Sequence, residues 1–218
     1  MKKIAAIFEE LFKRYPALAP LEQQIADAYA MMRACYDAGG KLLVCGNGGS
    51  AADSEHIVGE LMKGFLSKRP LSQAEKNRFA AVEDGNYLSN RLQGALPAVA
   101  LTSQTSLLSA FANDIAPDMV YAQQVWGYAR KTPDVLIALS TSGNSANIVN
   151  AVKTAAALNR KSIGITGKEN SLLSSLCNIC IQLPESETFK IQELTQPVYH
   201  CLCAMLEEYY FDNEGDYT

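Results

Sequence analysis

Five short apolar runs, separated by stretches of helical pattern, constrain this chain more than any other feature. They read KLLVC (41–45), PAVAL (97–101), DVLIALS (134–140), KSIGIT (161–166) and NICIQL (178–183). Each is continuous rather than alternating, so each strand needs cover on both faces. Strands of that kind joined by helices pair in parallel, with ligands expected at the carboxyl ends of the strands. The sequence therefore predicts an α/β fold, a five-stranded parallel sheet sandwiched between helices. With 218 residues and 48% hydrophobic content the chain can bury one good core, and 1–218 is read as a single domain.

Helices are expected before the first strand, within 1–38. Residues 2–14 form one, and about 20–38 a second, in which Leu21, Ile25, Ala28, Met32 and Tyr36 recur at helical spacing before Gly39-Gly40 stops it. The segment 66–96 breaks the rhythm: it is polar, charged and long for a connection, and is read as an insertion containing helical turns. A compact domain rarely carries a structureless loop of that length, which points to a lid, a specificity element or an oligomer contact, with a solvated helical excursion as the plain alternative. The tail FDNEGDYT is acidic and expected to fray.

Several classes are disfavoured at once. A formal charge of −4 without a basic run argues against a nucleic-acid footprint. No apolar run approaches the ~20 residues that span a bilayer, and no targeting segment opens the chain, so a cytoplasmic protein without membrane contact is expected. The six cysteines lie in apolar segments and read as reduced core thiols. CNIC at 177–180 begins a strand, whereas a thioredoxin-like motif would precede a helix, and two histidines without a second C-x-x-C give little support to a zinc knuckle.

Two loops read as anion sites. In GNGGSAA, Gly46, Gly48 and Ala51 fit G-x-G-x-x-A, in which glycines let backbone N–H groups approach a phosphate at a helix N-terminus. In STSGNSAN, Ser140, Thr141, Ser142 and Ser145 crowd hydroxyls around a second helix start, more than a single N-cap requires. A dinucleotide would want an acidic residue roughly 20 residues past the first loop, ending a strand, and a P-loop would want G-K-[ST]; neither is present. The expected ligand is a small phosphorylated molecule, and no nucleotide cofactor is expected. His56 and Glu60, four apart on the helix that the glycine loop opens, share one face. With His200, in the apolar C-terminal helix interrupted by Pro197, they could form an acid–base couple beside a carbonyl.

The segments CGNGGSAADSEHIVGEL, ANDI, LSTSGNSAN and IQELTQPVYH together resemble the SIS-domain (sugar isomerase) family, whose fold is flavodoxin-like or Rossmann-like, and within it the phosphoheptose isomerases, which act on sedoheptulose 7-phosphate. The resemblance covers nearly the whole chain except 66–96. It implies an aldose–ketose isomerase working through an enediol(ate), with Glu60 as base and His200 as acid or base. It implies phosphate and sugar contacts at Asn47, Gly48, Gly49, Ser50, Asn113, Asp114, Ser140, Thr141, Ser142, Ser145 and Gln192. Zinc-binding members use positions that match His56, Glu60, Gln192 and His200, one ion per site, and the family usually assembles as a homotetramer with sites between subunits. On an unbroken helix Gln192 and His200 would stand about 12 Å apart in rise, so a kink, a non-helical start or a second subunit would be needed for both to reach one ion. The chain departs from the isomerase pattern at Phe189, Gln104 and Thr195, where Asp, Asp and His are common. The alternative is a non-catalytic SIS sugar-phosphate sensor, or a tetrameric adaptor resembling the relative that binds the bacterial replication initiator; retention of Glu60 and His200 favours the enzyme.

Overall fold

The computed structural model describes residues 2–129 and 133–211. Its centre is a parallel sheet of five strands, β1 (Leu42–Cys45), β2 (Ala98–Ala100), β3 (Val135–Leu139), β4 (Lys161–Thr166) and β5 (Ile179–Gln182), in the order β2-β1-β3-β4-β5. Each strand falls within one of the five apolar runs. Side chains alternate between faces, as the pleat requires. Leu42, Val44, Val135, Ile137, Leu139, Ile163 and Ile165 face one core, and Leu43, Cys45, Leu136 and Ala138 the other. At their N-terminal ends β1 and β3 are tied by Asp134, which accepts from the Lys41 backbone N–H at 3.0 Å and pairs with its Nζ at 2.6 Å.

Helices cover both faces. The first core is closed by α1 (Lys2–Arg14), α2 (Glu22–Asp37), α3 (Gly49–Met62) and α10 (Thr188–Phe211). The second is closed by α7 (Val120–Tyr128), α8 (Ala146–Ala157) and α9 (Leu172–Leu176), with α6 (Thr105–Asp114) packed at its margin. Two local expectations need adjustment. Pro16–Leu21 form a 3-10 turn, so α2 starts at Glu22, and Leu21 precedes the helix. Pro197 does not interrupt α10, which runs unbroken from Thr188 to Phe211. A mid-helix proline costs roughly 3 kcal/mol by a lost bond and a clash, but ten residues from Val198 to Glu207 bury nine of their side chains, His200 excepted, and that packing outweighs the local cost.

The 66–96 segment holds the expected helical turns, α4 (Gln73–Asn77), capped by a reciprocal Ser72–Glu75 box, and α5 (Gly85–Ser89). Its root is fixed by Arg69, whose side chain is fully buried. Arg69 Nε donates to Glu207 Oε1 at 2.6 Å, Nη1 to the Leu61 carbonyl at 2.7 Å and Nη2 to the Glu60 carbonyl at 2.8 Å. Glu207 also accepts the N–H groups of Phe65, Leu66 and Ser67. Every charge in this clamp is compensated, which is the condition for burying an ion pair. It joins the last turn of α3 to the last turns of α10. Of the tail expected to fray, Phe211 ends α10 and the rest lies outside the described residues. All six cysteines are free thiols, and burial raises them, Cys35 and Cys177 to about 11. Among the described residues no helix is long and apolar enough to cross a membrane.

Arg69→Ala would leave the Glu207 carboxylate buried and unpaired, and should cost about 3–5 kcal/mol of stability, the range for breaking one side of a buried pair. Urea unfolding of the variant and the parent measures it; a loss under 1 kcal/mol would mean that water reaches the pair.

Candidate active site

Where β1 and β3 lie side by side, the chain leaves in opposite directions, and the sheet opens a crevice at their carboxyl ends. A cavity of about 310 Å³ sits there, lined by Asn47, Gly48, Gly49, Ser50, Leu139, Ser140, Thr141, Ser145, Thr188 and Gln192. Three helices begin at this point, α3, α8 and α10. Each N-terminus carries unpaired N–H groups and about half a positive charge, so the cavity favours an anion. None of its lining residues is Lys or Arg.

The local chemistry keeps donors available. Gly48 takes φ +55° to turn the strand into α3, and a side chain at Gly46 would collide with the Ser50 carbonyl at 2.3 Å. Ser145 is the N-cap of α8 but makes no side-chain capping bond; its hydroxyl lies 3.2 Å from that of Ser140. Those hydroxyls are thus not consumed by the helix they precede. The two loops are bridged by Asn47 and Asn147, whose amides donate to each other at 2.9 Å both ways. Tyr121 secures the first loop by donating to the Gly46 carbonyl at 2.8 Å.

Of the eleven positions expected to contact phosphate or sugar, eight line this cavity. Ser142 does not; it is exposed, and its hydroxyl accepts from the Asn144 N–H at 3.2 Å, a turn-forming bond. Asn113 and Asp114 do not either; they stand exposed at the C-terminal end of α6, bonded to each other at 2.9 Å.

The titratable cluster lies further along the same two helices. Gln192 packs on Gly49, Tyr199 reaches Asp53 and His56, and His200 reaches His56, so α3 and α10 run side by side in the same direction. His56 Nε2 is 3.0 Å from Glu60 Oε1 and 3.4 Å from His200 Nε2. The second oxygen, Glu60 Oε2, is buried and has no hydrogen-bond partner, although the exposed Lys63 Nζ stands 3.6 Å away. Burial, reinforced by His56 and opposed by Glu60, holds the His200 imidazole below its ordinary pKa. Burial raises Asp53. Phe65 lies against His200 with ring centroids 5.3 Å apart.

Tyr199, Asp53 and Asn147 were not among the expected site residues. Asp53 stands three residues before His56, a spacing that places both on one helix face, and Tyr199 is the neighbour of His200, but only the packing of α3 on α10 joins them. At two of the departing positions, Thr195 donates to the Ile191 carbonyl of its own helix at 2.8 Å, and Phe189 is exposed.

The zinc expectation can be weighed against these positions. His56, Glu60 and His200 offer a nitrogen and oxygen donor set that suits zinc. His56 Nε2 stands 3.0 Å from Glu60 Oε1 and 3.4 Å from His200 Nε2, the spacing of neighbouring donors on one zinc ion, but among the described residues no group of three His, Cys, Asp or Glu side chains is arranged as a metal site. Gln192 lies in the anion cavity, and the unbroken α10 separates it from His200 by about 12 Å of rise. In this arrangement the four side chains do not fit one ion.

An anion cradle at the switch point of a five-stranded parallel sheet, with a His–Glu–His cluster two helical turns away, defines an α/β protein built to take an anion at its carboxyl edge. The chain belongs to the SIS-domain family, whose domain matches residues 8–91 and 78–167 and, in a second form, 129–206. It is 38% identical over 184 residues to the phosphoheptose isomerase of Rhodospirillum rubrum, covering 84% of this chain and 85% of that one. The Campylobacter jejuni phosphoheptose isomerase is 37% identical over 188 residues, covering 86% and 88%. Among solved structures, phosphoheptose isomerase GmhA from Neisseria gonorrhoeae matches with a TM-score of 0.70 at 31% identity, covering 93% of this chain and 97% of that one. A phosphoheptose isomerase from Francisella tularensis matches with a TM-score of 0.73 at 29% identity, covering 95% and 97%.

Ser145→Ala should weaken phosphate binding by about 1.5–3 kcal/mol, the range for a hydrogen bond to a charged group, with little loss of stability because its hydroxyl makes no capping bond. Ser142→Ala should leave affinity unchanged. Calorimetric titration with inorganic phosphate distinguishes the two; the reverse order would move the anion toward the exposed turn.

Proposed function

We infer that the chain isomerises a phosphosugar between ketose and aldose by moving one proton between adjacent carbons. The observation that carries this reading is the state of Glu60. One carboxylate oxygen is tied to His56 and the other is buried without a hydrogen bond, its nearest charge the exposed Lys63 ammonium at 3.6 Å, beside His200, on the same helix pair that contributes to the anion cradle. A carboxylate held at one oxygen, with no hydrogen bond made at the other, suits a general base.

The cradle would bind the phosphate with backbone N–H groups, serine and threonine hydroxyls and the Gln192 amide. Glu60 Oε2 takes the proton from the carbon next to the carbonyl. The C–H electron pair becomes the carbon–carbon double bond of the enediol, while the carbonyl oxygen accepts a proton from His200. The return steps place the Glu60 proton on the neighbouring carbon and restore the His200 proton from the other oxygen. No net proton or electron is gained. We take the substrate to be a heptose phosphate, as the names of the relatives suggest. The sensor or adaptor alternative finds no support among these relatives.

Assembly belongs to the same proposal. Helix α6 has no buried residue although half its sequence is apolar; Leu107 is exposed, as are Ile115 and Met119 just beyond it. Covering this face with further copies, in a homotetramer, would bring Asn113 and Asp114 to a neighbour's site. The six free thiols support a reducing compartment, the cytoplasm.

Glu60→Gln keeps shape and hydrogen bonding but removes the base, and should lower the isomerisation rate by ~10²–10⁴-fold while phosphate still binds. Incubation with ketose and aldose phosphates in heavy water, read by mass spectrometry, should show deuterium at the carbon next to the carbonyl for the parent and almost none for the variant. Undiminished exchange in a folded variant would remove Glu60 from the role. Separately, sedimentation at micromolar concentration should give a tetramer; a concentration-independent monomer would overturn the assembly.

A further inference from the structure

We propose that Tyr199 and Asp53 are positioning residues of this site, acting through His56; the proposal rests on the reading of Glu60 as the base. The buried Tyr199 hydroxyl lies 2.9 Å from His56 Nδ1 and 3.2 Å from Asp53 Oδ1, while His56 Nε2 faces Glu60 Oε1 at 3.0 Å. The four side chains form one chain of polar contacts, Asp53–Tyr199–His56–Glu60, that crosses from α3 to α10 and back to α3.

The geometry explains why a phenol is useful there. His56 is well exposed, with 39% of its side chain accessible, and a ring held at one nitrogen can turn about its Cβ–Cγ bond. With its own proton given to Asp53, the Tyr199 oxygen accepts from His56 Nδ1–H; a ring that also donates Nε2–H to Glu60 cannot turn without breaking both contacts. Edge-on packing against Tyr199 and His200, with centroids 5.4 and 4.9 Å away, fixes its tilt as well. A fixed ring in turn holds Glu60 Oε1, and with one oxygen held the carboxylate has a single way to present Oε2. Asp53 completes the arrangement by holding the phenol from the other side. The phosphate cradle is not part of this chain, so disturbing it should affect the proton-transfer step more than binding.

Tyr199→Phe removes the hydroxyl and leaves the ring in its packed place. In the full-length protein, kcat should fall about tenfold, as for other outer-shell partners of functional histidines, with KM within twofold of the parent. In a His56→Ala background the same substitution should cause no further fall, because its route of action is gone. Asp53→Asn, which can still accept from the phenol, should retain more activity than Asp53→Ala. A Tyr199→Phe enzyme with unchanged kcat, or an equal fold-loss in both backgrounds, would overturn the proposal. A measurement independent of turnover uses the two histidines of the chain: in ¹⁵N-labelled protein the His56 Nδ1 resonance should move in Tyr199→Phe and in Asp53→Ala, and the His200 nitrogens much less. An unmoved His56 resonance also overturns it. If the parent isomerises no phosphosugar, the functional reading fails on its own, and the nitrogen spectra still decide whether Tyr199 holds His56.

Discussion

In a parallel sheet every crossover runs back against the strands, so each following helix begins at the same edge, and the site depends on that single directional constraint. Helices α3 and α8 follow the adjacent strands β1 and β3, and α10 follows β5 back across the sheet. All three present their N-termini to one crevice. The same rule makes α3 and α10 parallel to each other. A ligand anchored at their starts can therefore lie along both, with its far end reaching groups that α3 and α10 contribute jointly.

The helix pair is fixed at both ends by different means. At the cradle, the Asn47–Asn147 amides and the Tyr121 hydroxyl hold loops from separate crossovers together. At the other end the Arg69 guanidinium binds the carbonyls of Glu60 and Leu61, and Glu207 gathers the amides that follow α3. Glu60 thus has its backbone held from below and its side chain held by His56. The 66–96 excursion begins at the clamp, which makes its root part of the frame of the site, whatever its tip does.

Much of this was legible in the sequence because it is local. Continuous apolar runs gave the strands, and glycines or hydroxyl residues immediately after a strand gave two of the three helix starts in the cradle. The His56–Glu60 pair was legible for the same reason, as a spacing within one helix. What escaped depends on contacts between distant segments. Arg69 and Glu207 are 138 residues apart, and no local pattern marks a buried arginine. Tyr199 reads as one more apolar position until α10 is laid on α3. Ser142 looked equivalent to its neighbours, yet it stands outside the cavity they line. Pro197 was read by its intrinsic preference, which the burial of the helix around it overrode.

The cradle is lined without a formal positive charge. Peptide dipoles, hydroxyls and an amide act over a few ångströms, whereas a lysine or arginine would attract phosphate from a Debye length away, about 8–10 Å at ordinary ionic strength. On a chain of net charge −4, recognition by these cradle groups begins only at contact. The same short range favours departure. A ligand leaving the crevice loses these short-range contacts at once, which would suit the proposed reversible reaction, whose product carries the same phosphate as its substrate.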